Sequence, residues 1–167
     1  MAKSAQAAIL LATALCFLSL ASVAHSFFLV EGQVYCDTCR AKFQTRASEP
    51  IKGSKVRLEC RDREGGHLTY TVEGETDAKG MYHLEAEGNH EEEVCEVVLV
   101  KSGSEDCKEE NKVGFGRHSA RISLTHNNGI SSPSRLANPL FFMRKEALPV
   151  CPEVLRELGI LPAEIFH

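Results

Sequence analysis

Polar and apolar positions alternate in short runs along most of this 167-residue chain. Val30, Gly32, Val34 and Cys36 share one parity, as do Val56, Leu58 and Cys60, Tyr82, Leu84 and Ala86, and Cys95, Val97 and Leu99. A period of two places every second side chain on one face of a strand, so these sets are predicted to point into a core. The runs predict strands at Phe28 to Cys36, Lys55 to Arg61, His67 to Glu75, Met81 to Glu87, Val94 to Lys101, Ala120 to Thr125 and Leu140 to Arg144. Turn residues separate them. In Thr76-Asp-Ala-Lys-Gly80, Asp77 can cap its own turn and Gly80 can take positive φ; Arg63-Glu-Gly-Gly66 is a second hairpin signal. About seven strands of this size suit an all-β, antiparallel sandwich or partly closed barrel.

The two ends depart from this pattern. Near the start, Lys3 precedes an apolar stretch from Ala7 to Leu20 and small residues at Ser22, Ala24 and Ser26, the layout of a signal peptide with cleavage after Ala24 or Ser26. No later stretch approaches the roughly 20 apolar residues of a membrane span. The expected product is a single secreted domain over residues 27–167. Toward the other end, Pro149 to Leu158 permits a short amphipathic helix with Pro152 in its first turn.

Removing residues 1–26 removes Cys16 and leaves Cys36, Cys39, Cys60, Cys95, Cys107 and Cys151. In an oxidising compartment an even set of six implies three disulfides, which sequence alone could pair in about 15 ways. Parity points Cys60 and Cys95 inward, where a bridge between them would tie sheet to sheet, and is silent on the others. A redox reading of Cys36-Asp-Thr-Cys39 needs the dithiol at a helix start within a βαβ pattern, whereas here it follows a Val-rich strand. Zinc needs a second close ligand pair, which the remaining cysteine spacings lack.

Charge narrows the function classes. The chain carries 19 Lys and Arg against 23 Asp and Glu. Loss of Lys3 makes this 18 against 23, a net −5, the opposite balance from a nucleic-acid binder. Within it, Lys52, Lys55, Arg57, Arg61 and Arg63 form a basic cluster, and Arg57, Arg61 and Arg63 share outward parity. That face could meet an acidic polysaccharide or an acidic receptor surface. The plainer reading is a solvated strand face balanced by Glu59 opposite, or by Glu73 and Glu75. His67, His83, His90, His118, His126 and His167 are scattered, without metal-ligand spacing, and are expected at the surface or in hairpins. His90-Glu-Glu-Glu93 reads as a solvated acidic turn, since calcium loops need carboxylates spaced around a turn with carbonyls between. No metal or other cofactor is expected. No Gly-x-Ser-x-Gly elbow or local acyl-transfer signature occurs, so a non-enzyme is expected. Asn89, Asn111, Asn127, Asn128 and Asn138 all lack Ser or Thr two positions on, which predicts no N-glycan.

The decapeptide Glu31-Gly-Gln-Val-Tyr-Cys-Asp-Thr-Cys-Arg40 resembles the signature of the olive pollen major allergen (Ole e I) family at every position. The likeness extends to the six-cysteine order, Lys55-Val-Arg-Leu-Glu-Cys60, Glu93 to Lys101 and Asn138-Pro-Leu140. It implies a small secreted plant β domain with Cys36 paired to Cys107, Cys39 to Cys151 and Cys60 to Cys95. Members of the family are pollen proteins, many of them allergens, without established catalytic residues. They are proposed to act in pollen hydration or tube growth as ligands of receptor-like kinase ectodomains, or to associate with cell-wall pectin or arabinogalactan. A hydrolase inhibitor using the loop Gly129 to Arg135 is a further alternative.

Overall fold

The computed structural model describes residues 27–110 and 119–160; the expected signal peptide, Asn111, His118 and His167 lie outside the described residues. The elements are β1 (Phe27–Asp37), β2 (Glu49–Pro50), β3 (Lys55–Asp62), β4 (Leu68–Glu75), β5 (Met81–Glu87), β6 (Glu93–Lys101), β7 (Cys107–Glu109), β8 (Ser119–Ile122), β9 (Ser134–Leu136), β10 (Leu140–Arg144) and α1 (Cys151–Glu157). Two sheets face each other across one core. The first is built on the long β1, whose early half pairs with β5 and β9 and whose late half pairs with β2 and β10, with β7 beyond β10. The second has the order β4-β3-β6-β8. The all-β sandwich expected from the alternation is therefore present, open rather than closed into a barrel. One part of the expectation changes: β1 runs parallel to both β9 and β10, so the first sheet is mixed. A period of two reads the same in parallel and antiparallel pairs, and only connection lengths separate them.

The inward parity sets meet as predicted. Phe28, Val30, Val34, Tyr82 and Leu84 of the first sheet share a buried cluster with Val56, Leu58, Cys60 and Val97 of the second. Each fully buried side chain of this kind contributes about 1.5–3 kcal/mol. Gly32 is the exception that makes the layer fit, because a Cβ there would stand 2.2 Å from the Tyr82 hydroxyl oxygen. The Tyr82 ring fills that space, and burial pushes its phenol pKa upward. The β4–β5 turn has the anticipated chemistry: Asp77 Oδ1 accepts the N–H groups of Lys79 at 2.8 Å and Met81 at 2.9 Å, and Gly80 sits at φ 72°.

After β1 the chain turns around Asp37, which is wholly buried. Its carboxylate accepts N–H groups from Cys39 at 3.2 Å, Ala41 at 3.1 Å and Lys42 at 2.6 Å. The intervening backbone is forced into positive φ at Arg40 (55°) and Lys42 (64°). Thr38 Oγ1 donates to the Ala47 carbonyl at 2.7 Å. Arg40 crosses to Glu109 at 2.6 Å and to the carbonyl of Arg144.

Disulfides fix the same turn to later parts of the chain. Cys36 is joined to Cys107 on β7, and Cys39 to Cys151 at the start of α1, with Cα–Cα distances of 5.9 and 5.2 Å. The helix is short, and its buried residues are Cys151 and Val154. Arg46 also holds it, by ion pairs to Glu153 at 3.2 Å and Glu157 at 2.7 Å. Cys60 and Cys95 form the third bridge. The expectation that this bridge ties sheet to sheet is corrected, since Cys60 and Cys95 are direct partners on the neighbouring strands β3 and β6 of one sheet. Inward parity is satisfied by two adjacent strands as well as by two facing sheets.

Candidate functional site

The outer face of the second sheet carries the charged constellation that the sequence singles out. On β3, Arg57, Glu59 and Arg61 are two residues apart and therefore project from the same face. Arg57 reaches Glu59 Oε1 at 2.7 Å, and Arg61 reaches Glu59 Oε2 at 2.8 Å. One carboxylate thus receives two guanidinium groups, one on each oxygen. Arg57 also meets Glu73 of β4 at 3.3 Å, its partner in the ladder, and Lys55 meets Glu75 at 3.6 Å. The Glu59 side chain is only 10% exposed, against 36% and 42% for Arg57 and Arg61. The hydrogen bond from Arg61, then that from Arg57, hold the Glu59 carboxyl below its usual range despite burial.

This arrangement alters the sequence reading in two respects. Glu59 is not opposite the arginines but between them, which the i, i+2 spacing already required. Arg63 lies beyond the end of β3 and donates to the Glu91 carbonyl at 3.1 Å, away from the Arg57–Glu59–Arg61 row. Around the row stand Thr71 of β4 and Val94, Glu96 and Val98 of β6, the register partners of Arg61, Glu59 and Arg57 on that side. Arg121 of β8 continues the row beyond Glu96. The face is therefore a mixed surface of charges and half-buried valines, in which Lys55, Arg57 and Arg61 are already paired with carboxylates.

The histidine reading also needs a correction at one position. His90 is 8% exposed, packed on Tyr70 at 4.7 Å between ring centres, with Nδ1 bonded to Glu93 and Nε2 donating to the Glu87 carbonyl at 3.0 Å. Donor atoms of Cys60, His90, Glu93 and Cys95 all lie within 4.8 Å of one another. The two sulfurs are bonded to each other, and His90 and Glu93 are engaged mutually, so this group serves packing in the disulfide form.

The loop from Gly129 to Arg135 is exposed over most of its length, but its last residue is not. Arg135 is 4% exposed and lies over the Phe28 ring at 4.8 Å. Its guanidinium donates to the carbonyls of Ser123 at 3.2 Å, Thr125 at 2.9 Å, Ser132 and Ser134. Sequence parity carries no sign of this, because an arginine in a polar loop is ordinarily solvated. Among the described residues, no helix is long and apolar enough to cross a membrane.

Comparison with known proteins places this geometry in a family. Residues 26–159 match the family described as "Pollen protein Ole e 1 like". The chain is 55% identical over 165 residues to the Olee1-like protein of Betula pendula, covering 98% of this chain and 99% of that protein. It is 49% identical over 160 residues to the anther-specific protein LAT52 of Solanum lycopersicum, covering 94% and 98%. It is 48% identical over 158 residues to the pollen allergen Che a 1 of Chenopodium album, covering 93% and 94%. The crystal structure of the major plantain pollen allergen Pla l 1 superposes with a TM-score of 0.68 at 37% identity, covering 75% of this chain and 99% of that one. Two of these relatives are named as pollen allergens and one as an anther-specific protein, and none is named as an enzyme. The chain belongs to the Ole e 1-like family of pollen proteins.

Proposed function

We propose that this protein is secreted and acts as a non-catalytic ligand of an extracellular protein partner, such as a receptor-like kinase ectodomain, in pollen hydration or tube growth. Membership of a pollen protein family supports the setting. The observation that carries the choice of partner class is the neutralised row on β3. Binding to a polyanion such as pectin draws on free cations, whereas Arg57 and Arg61 are both committed to Glu59, and Arg57 also to Glu73. Paired charges held in a fixed pattern beside Val94 and Val98 instead suit a protein partner, for which charge pattern supplies specificity and apolar contact supplies affinity.

The test sets an immobilised receptor-like kinase ectodomain against demethylated pectin. The native protein is expected to be captured by the ectodomain and to pass the pectin. Glu59→Gln, which removes the carboxylate that Arg57 and Arg61 share, is expected to gain pectin retention that salt abolishes. Native retention on pectin that disappears when Arg57, Arg61 and Arg63 are neutralised would overturn the reading in favour of a cell-wall matrix protein.

A further inference from the structure

Five asparagines occur in the chain, and one of them, Asn128, is followed by glycine. An asparagine loses its side-chain amide nitrogen spontaneously when the next backbone nitrogen attacks its amide carbon. Reaction therefore requires a free, deprotonable N–H, room to close a five-membered ring and an amide carbon open to attack. Among the described asparagines, three fail in different ways. Asn138 precedes Pro139, which has no N–H. Asn89 precedes His90, whose N–H is tied to the Leu124 carbonyl at 3.1 Å in a buried setting. Asn127 has its amide nitrogen held by both Glu91 oxygens, at 2.8 and 2.7 Å.

Asn128 meets every requirement. It lies in the exposed stretch that precedes β9. The Gly129 N–H makes no hydrogen bond among the described residues, and the space where a side chain would stand is open, with nothing within 4 Å. Asn128 Oδ1 accepts the Ile130 N–H at 3.1 Å. That bond draws electron density from Cγ and stabilises the negative charge that attack places on Oδ1, as an oxyanion-hole donor does.

We propose that Asn128-Gly129 is a built-in site of spontaneous deamidation and isoaspartate formation. The Gly129 nitrogen, its proton taken by solvent base, bonds to Asn128 Cγ. The Cγ–Nδ2 bond then breaks, and Nδ2 leaves as ammonia with a proton from water, giving a cyclic imide. Water opens the ring at either carbonyl. Cleavage at Cγ gives aspartate, and cleavage at the main-chain carbonyl gives isoaspartate, with the backbone rerouted through the side chain. No oxidant or reductant is involved. Both products add one negative charge beside Ile130 and Leu136, which are 50% and 79% exposed. The fold survives the change because the chain is re-anchored immediately afterwards: the Pro133 carbonyl accepts the Leu29 N–H at 3.1 Å, and Ser134 to Leu136 pair with β1.

The experiment ages the intact, disulfide-bonded protein at mildly alkaline pH, followed by peptide mapping by mass spectrometry and an isoaspartyl methyl-transfer assay. The expected result is loss of the amide at Asn128, with both products formed, while Asn89, Asn127 and Asn138 keep theirs. Asn128→Gln should abolish the methyl-accepting signal. Earlier loss at any of the other three would overturn the proposal. So would an Asn128 amide that persists in the folded protein after the isolated peptide 125–133 has converted, since the fold would then be protecting it.

Discussion

Two buried carboxylates stand beside half-cystines in this protein, and they hold different things. Asp37 lies between Cys36 and Cys39 and binds three backbone N–H groups of the turn after β1. Glu59 precedes Cys60 and binds two arginine side chains on the face of β3. The neighbouring disulfides differ in the same sense. Those of Cys36 and Cys39 reach 71 and 112 residues along the chain, to β7 and α1, whereas Cys60 reaches its ladder partner Cys95. At the end of β1, carboxylate and cystines create geometry that no strand pairing would supply. On β3 they reinforce a ladder that main-chain hydrogen bonds already define. The decapeptide signature is accordingly a folding device, with Gly32 seating Tyr82, Asp37 shaping the turn and two cysteines tying it down.

The largest effect expected from this contrast comes from removing cystines in pairs. Loop entropy alone gives about 5 kcal/mol for Cys39–Cys151 and about 4 kcal/mol for Cys60–Cys95, a small difference. The contrast predicts a larger difference in where the damage appears. Replacing Cys39 and Cys151 by serine should release α1, which is otherwise held by Val154 and the Arg46 ion pairs, and its amides should exchange freely. Replacing Cys60 and Cys95 should lower the urea midpoint yet leave the amides of β3 and β6 protected. Equal loss of local protection in the two variants would erase the distinction.

A smaller loss is expected from Asp37→Ala. Three N–H groups lose their acceptor at once; that of Cys39 is buried, whereas those of Ala41 and Lys42 lie where water can replace it, so a destabilisation of about 1–3 kcal/mol should appear in urea unfolding. Positive φ at Arg40 and Lys42 would lose its compensation, and non-native pairing of Cys39 should rise in peptide maps of the refolded variant. A variant that refolds with native pairing and an unchanged midpoint would show that the cystines alone shape the turn.

Much of this was readable from alternation, and the remainder fails for identifiable reasons. The parity sets of β1, β3, β5 and β6 locate the core because one face of each strand is apolar. Strands β2, β7 and β9 have two or three residues, too few to show a period, and they exist because β1 and β10 offer partners. The place of Glu59 between Arg57 and Arg61 was legible from spacing alone. The buried states of Asp37, His90 and Arg135 were not, since each is satisfied by groups brought from elsewhere: turn amides, the Glu87 carbonyl with Glu93, and four loop carbonyls over Phe28.

The smallest effect is a pH dependence that belongs to β3. Arg61 and Arg57 hold the folded-state pKa of Glu59 below its ordinary value of 4.5. A carboxyl with a lowered folded pKa binds protons more readily in the unfolded chain, so its contribution to stability is complete above the ordinary value and disappears as pH falls through the folded one. With both arginines more than a third exposed, solvent screening limits this contribution to about 1 kcal/mol. Stability measured by urea at successive pH values should therefore fall less steeply on acidification for Glu59→Gln than for the native protein, with the two curves converging at the lowest pH. Curves that stay parallel across that window would mean that Glu59 is no more strongly held in the folded state than in the unfolded chain, and the β3 row would then be ordinary solvated charge.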